Sequence, residues 1–142
     1  MHLQKLSVGS ESIATLKDWQ DIVVSRRSAR GLSSHHEHVT RMFPKQAEAL
    51  LDGGSIYWVI KGLIACRNEI AALEQVTTND GRKACSILMV PKLIPVVPTP
   101  KRPFQGWRYL KPEDAPADIA AGAGDDSLPP ELAAKLAKLG AW

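Results

Sequence analysis

The sequence predicts an α+β domain: a small mixed or antiparallel curled sheet with two helices packed near the N-terminal half. Three observations carry this. Several strand-like segments follow residue 55, two of them flank the sharp reversal "TTNDGR", and two helical stretches that end in glycine precede them. At 142 residues, 44% hydrophobic and 23% charged, the chain suits one domain with a real core and an ordinary globular composition.

"HLQKLSV" alternates imperfectly and reads as a short strand, broken by Gly9 and Ser10. From an N-cap at Ser10 or Ser12, the residues Ile13, Leu16, Trp19, Ile22 and Val23 recur at helical spacing until Gly31. Arg26, Arg27 and Arg30 fall in the last turns, where cations suit the helix dipole. "SSHHEHVTRMF" is a polar loop running into an extended stretch. Pro44 then fits the first position of a second helix, "PKQAEALLDGG", closed by Gly53 and Gly54.

"SIYWVIKG" is apolar on both faces and rich in branched and aromatic residues, as a central strand is. "EIAALEQV" and "KACSILMV" form a hairpin across Asn79, Asp80 and Gly81. "KLIPVVPTPKRP" lacks an amide donor at each proline, which restricts it to an extended edge or a connector. "FQGWRYL" follows as a strand. The body therefore spans residues 1–111, and residues 112–142 form an acidic flexible linker and a short C-terminal helix with Leu132, Leu136 and Leu139 on one face. That helix is too short to stand alone and needs something to dock on, a protein partner being one option.

Charge is divided unevenly. Residues 1–111 carry sixteen Lys or Arg against nine Asp or Glu, and residues 112–142 carry two against six. A basic body raises the expectation of a polyanionic partner. No apolar run reaches the roughly 18 residues of a membrane span, and no secretory signal is evident, so a cytoplasmic protein without membrane contact is expected. Cys66 and Cys85 read as reduced core residues.

Together "HVTRMFPKQAEALLDGGSIYWVIKG" and "RPFQGWRYLKPED" resemble the uncharacterised bacterial family labelled DUF, number 1489, over roughly residues 2–115. The resemblance brings no activity with it. A weaker likeness joins "AEALLDGGSIYWVIKG" to the superfamily of PUA-like β-barrels, with its ASCH and EVE domains, in which a helix ending in Gly leads into a strand. That likeness implies RNA or modified nucleobases bound beside the helix and strand.

Four groups of residues bear on a site. In "PTPKRPFQGWRYLKP", strand alternation sets Phe104, Gly106, Arg108 and Leu110 against Gln105, Trp107, Tyr109 and Lys111. Either the second set faces a ligand, with rings to stack on bases and Arg102 and Arg108 for phosphates, or Phe104 and Leu110 are core and the rings cover a sheet face. "HHEH" is a polar loop, or places His36 and His38 on one face as a metal or proton-transfer pair. Thr40, Arg41 and Lys45 stand at the mouth of the second helix, as an anion site or with Arg41 paired to a carboxylate. Tyr57 and Lys61 share a strand face opposite the core set Ile56, Trp58 and Ile60; with Arg67 they edge a cleft, or Lys61 snorkels to solvent.

The expected function is therefore binding of RNA or a nucleotide in a basic, aromatic-edged cleft. Arg41, Lys45, Lys61, Arg67, Arg102 and Arg108 would meet phosphates, Trp107 and Tyr109 with Tyr57 would stack on a base, and the acidic tail would fold back as a mimic of the polyanion. The alternatives are an enzyme on modified nucleosides or nucleotides, with Lys61 or Lys45 as base, and an adaptor docking through its C-terminal helix. Without a Gly-rich phosphate loop, a nucleophile elbow or a two-metal carboxylate cluster, no cofactor is expected and no catalytic residue is assigned.

Overall fold

The computed structural model describes residues 1–119 apart from residues 8, 10, 103 and 105. The helix expected over "LPPELAAKLAKLGAW" lies outside the described residues. In chain order the elements are β1 (His2–Leu6), α1 (Ile13–Ala29), β2 (His36–Thr40), α2 (Ala47–Leu51), β3 (Ser55–Ile60), β4 (Leu63–Thr77), β5 (Lys83–Met89), β6 (Ile94–Pro100) and β7 (Trp107–Leu110), with a 3-10 turn at Pro112–Asp114.

The strands form one mixed sheet in the order β2-β5-β4-β3-β1-β7, with β6 added on β4. β1 and β3 are parallel and the remaining ladders antiparallel. The fifteen-residue β4 organises it: its first half pairs with β3 and β6, and its second half with β5 across the predicted hairpin. Gly81, at φ 81°, supplies the left-handed position that reversal requires.

The sheet does not close. β2 and β7, the ends of the order, have no ladder between them; the indole N–H of Trp107 donates to the Met42 carbonyl at 3.0 Å instead. The α+β class and the mixed sheet stand, and the barrel closure expected with them is not formed among the described residues.

β3 is buried along its whole length, as its two-sided apolar pattern predicts. Ile56, Trp58 and Ile60 pack in one cluster with Leu3, Leu16, Leu50, Ile87 and Met89. Tyr57 and Val59 enter a second with Ile64, Val96, Phe104 and Leu110. Cys66 and Cys85 are free and buried within the first cluster, and burial pushes their thiols up to about 12 and about 11.

α1 begins at Ser12 with a reciprocal cap: Ser12 Oγ accepts from the Thr15 amide at 3.2 Å, and Thr15 Oγ1 accepts from the Ser12 amide at 3.0 Å. The apolar stripe predicted for it is only partly inward. Leu16 and Gln20 are buried, whereas Trp19 and Ile22 are 47% and 45% exposed. The inward place beside Leu16 goes to Gln20 because a buried amide partner, Asn68, awaits it on β4.

α2 corrects a second expectation. It spans five residues from an N-cap at Gln46, so Pro44 precedes the helix and is fully buried. The Gln46 amide that would have opened an anion site already donates to the Tyr109 hydroxyl at 3.1 Å. Residues 112–119, read as the start of the linker, lie along the body: the amides of Val97 and Ile119 donate to the Ala117 and Pro95 carbonyls at 2.8 and 2.9 Å, and Val96 bridges Asp118.

Candidate functional site

The open seam of the sheet, between β2 on one side and β1 with β7 on the other, is where polar chemistry collects. Period-two alternation puts Leu3 and Lys5 on one face of β1, and Leu3 is wholly buried, so the Lys5 stem lies inward with it. Lys5 stands in register with Trp58 on β3 and with Trp107 on β7. On β2 the same alternation turns His36 and His38 inward, opposite Met89 and Ile87 of β5. Glu37 points to the other face and accepts from Ser86 Oγ at 2.6 Å, with Arg27 Nη1 at 3.5 Å.

Two cavities open from this seam and share Lys5 and His38. The outer one, of about 590 Å³, is completed by Val39, Thr40, Arg41, Met42, Gly106 and Trp107. The inner one, of about 330 Å³, lies under α1 and is bounded by Leu16, Trp19, His36 and Trp58. Val39 and Met42, 48% and 68% exposed, give the outer mouth an apolar rim.

The electrostatics follow from burial. Both inward histidines are held neutral: His36 is pushed down to about 4 by burial against a small opposing pull from Glu37. His38 is pushed down to about 4 by burial, then by the Lys5 ammonium and His36. Burial also lowers the Lys5 ammonium from its ordinary range. The His38 ring meets Trp58 edge-on at 5.6 Å.

The residues predicted to act together are divided by the fold. Arg41 and Trp107 line the outer cavity, and Arg41 also lines a neighbouring cavity with Asp80, whose carboxyl is lowered first by the Thr78 hydroxyl and in small part by the Arg41 charge. Tyr109 lies beside Trp107, ring centroids 5.0 Å apart and edge-on, and its hydroxyl holds the Gln46 amide next to the exposed Lys45. Trp107 and Tyr109 are half-buried against the first core cluster, so they cover a sheet face while Phe104 and Leu110 are core.

Arg108 lies on the opposite face of β7, its guanidinium 5.1 Å from the Phe104 ring. Arg102 is exposed, and the Lys61 turn, with Lys61 at φ 50°, is tied to that segment by the Lys101 amide donating to the Gly62 carbonyl at 2.8 Å. Tyr57 is 4% exposed in the second core cluster, where burial raises its phenol, and the cleft it edges with Arg67 is a separate cavity from the outer one.

Arg67 is engaged elsewhere. Its Nε and Nη2 donate to Asp118 at 2.8 Å each and its Nη1 donates to Ser55 Oγ at 2.7 Å, so it pins the segment after β7. Arg67 and Asp118 line a separate cavity of about 350 Å³ with His2 and Tyr57. One acid of the tail thus meets one of the predicted phosphate-binding arginines. His2 is itself lowered by burial, the chain's amino terminus and Arg67.

Lys5 belongs to none of the four sequence groups; the signal for it is a lone cation sharing a strand face with Leu3. The pairing of His36 and His38 on one face was legible; their place in an inward-facing strand was not. Among the described residues no group of three or more His, Cys, Asp or Glu is arranged to hold a metal, and no helix is long and apolar enough to cross a membrane.

Fold and seam define an α+β protein built on an open mixed sheet with a polar, aromatic-lined cleft. The chain belongs to the family described as Protein of unknown function (DUF1489), whose model it matches over residues 3–142, past the stretch that carried the resemblance. No curated protein and no solved structure matches it.

Proposed function

We propose that this protein binds RNA or a nucleotide in the seam cleft, with Arg41 and Lys5 meeting phosphate and the Trp107 ring stacking against a base. The observation that carries the reading is the shared outer cavity of Arg41, Lys5 and Trp107 beside the apolar rim of Val39 and Met42. Lys45 and Tyr109 extend this surface next door, while Lys61, Arg102 and Arg108 are exposed outside the cavity, where they would meet further phosphates of a longer chain. Arg67 and Tyr57 drop out as direct contacts in this reading, since one is held by Asp118 and the other is core.

We further propose that the architecture is an open variant of the PUA-like barrel, working in the cytoplasm. The mixed sheet with its parallel β1–β3 pair, and the short helix leading through Gly53 and Gly54 into β3, support it.

The test is anisotropy of a labelled single-stranded RNA titrated with the full chain across a salt series. On a log-log plot affinity should fall linearly, by about 0.7 per phosphate neutralised, and Arg41→Ala should flatten that slope by about one such step. Trp107→Ala should weaken binding by about tenfold at every salt concentration. Salt-independent association, or two variants that bind as the wild type does, would refute the reading.

A further inference from the structure

The inner end of the seam holds two ring nitrogens that lack partners. His36 Nδ1 and His38 Nε2 are buried with no hydrogen-bond partner among the described residues, and His36 is 1% exposed. They belong to alternate residues of one strand, on one face of the sheet, and both residues line the inner cavity while His38 also lines the outer one. A polar atom buried without a partner is disfavoured, and one that persists calls for a group outside the fold to satisfy it.

A metal ion is a poor occupant. A zinc site asks for three or four protein ligands, only two histidines converge here, and the Lys5 ammonium lies close enough to disfavour charge on His38. A phosphate suits the same surroundings: Lys5 and Arg41 bring positive charge, Thr40 a hydroxyl, and His38 a ring N–H. The seam is also bounded at both ends, by Leu16 and Trp19 of α1 and by the Trp107–Met42 hydrogen bond. Such a space admits a compact end group in preference to a chain running through it.

Resting on the reading above, we infer that the seam receives the terminal phosphate monoester of its nucleotide or RNA ligand between Lys5, Arg41 and His38, and that His38 takes up a proton from solvent as the dianion enters. The groups facing His38 are Lys5 from β1, His36 along β2, the uncharged Trp58 and Ile87 of β3 and β5, Leu16 and Trp19 of α1, and Trp107 of β7; Arg41 lines the outer cavity with His38 and a neighbouring one with Asp80. The carboxylate of Glu37 is turned to the other face, toward Ser86 and Arg27. An entering dianion therefore offsets the Lys5 charge that, after burial, holds His38 neutral.

The experiment compares one RNA oligomer bearing a 5′-phosphate, a 3′-phosphate or hydroxyls at both ends, at pH 7.5 and 6.0, against the full-length wild type, Lys5→Met and His38→Gln. A terminal phosphate at one end should tighten binding by about tenfold, and Lys5→Met should erase most of that preference. The ratio of wild-type to His38→Gln affinity for the phosphorylated RNA should grow about threefold or more from pH 7.5 to 6.0; both proteins see the same ligand, so its own titration cancels. Displacement by inorganic phosphate alone would assign the site to the phosphate, and displacement only by a nucleoside monophosphate would assign it to the nucleotide; either supports the inference. Equal binding of all three RNAs would overturn the end-group site while leaving RNA binding intact. No binding of any would overturn both.

Discussion

The side-chain amides of Gln20 and Asn68 clasp one another across 48 residues, Gln20 Nε2 donating to Asn68 Oδ1 at 2.9 Å and Asn68 Nδ2 donating to Gln20 Oε1 at 3.0 Å. Asn68 Oδ1 also accepts from Trp58 Nε1 at 2.9 Å, and its Nδ2 donates to the Val90 carbonyl at 3.1 Å. One buried side chain thereby joins α1, β3 and the segment after β5 into a satisfied network.

Replacing Asn68 by Leu removes that hub and strands the Gln20 amide and the Trp58 indole away from water. Each orphaned group costs about 1 to 3 kcal/mol, so a loss of about 2 to 6 kcal/mol is expected. Urea denaturation followed by Trp fluorescence measures it. A loss below about 1 kcal/mol would show that water replaces the network.

Gly54→Ala should be among the most damaging single changes in the chain. A methyl group there would sit 2.2 Å from the Leu50 carbonyl oxygen and 2.5 Å from that of Met1, both backbone atoms that cannot turn aside. The expected destabilisation is about 3 kcal/mol or more, read as soluble yield and thermal midpoint. Gly53→Ala meets no clash but a φ of 77°, and should cost about 1 kcal/mol.

Asp118→Asn tests the tie between the segment after β7 and β4. The Arg67 guanidinium holds the Asp118 carboxyl below its ordinary 3.8. The pair therefore stabilises the fold above about pH 4, and its contribution is lost as pH falls through the lowered folded value. Asp118 is 42% exposed, which limits the effect to about 1 kcal/mol or less. Amide exchange at Val97 and Ile119 should accelerate in the variant, with little change in β5.

The inward histidines set an acid limit on stability. Above pH 6.5 a buried neutral imidazole is uncharged in both folded and unfolded chains. Below it the unfolded chain takes up a proton that folded His36 refuses until about 4. Stability should therefore decline between pH 6.5 and 4 and level off beneath, by on the order of 2 kcal/mol for this one residue. His36→Phe should flatten the decline in a series of denaturant melts; an unchanged slope would assign it to other groups.

Features encoded by near neighbours were legible in the sequence. The Ser12 cap, the Asn79–Gly81 reversal, the proline-marked edge of β6 and the two-sided burial of β3 each follow from a few adjacent residues. What escaped were choices settled by distant partners. Gln20 displaces Trp19 from the inward face of α1 because Asn68 lies across from it, and the Gln46 amide at the late start of α2 is held by Tyr109 from 63 residues away. In "HHEH" the polarity that suggests a loop is local, whereas the strand partner β5 that makes His36–Thr40 extended lies about 50 residues on. The cleft was half legible: Arg41 and Trp107 share it, Arg67 and Tyr57 line another cavity, and Lys5 enters on the face of β1 that it shares with Leu3.

The sealed positions of Cys66 and Cys85 have a practical corollary. Thiols that ionise only far above neutrality react slowly with alkylating reagents until the β-sheet parts around them. In a reducing buffer the rate at which these two sulfurs are modified becomes a clock for opening of the protein's interior, readable by mass without any added label, and a ligand seated in the seam should slow that clock.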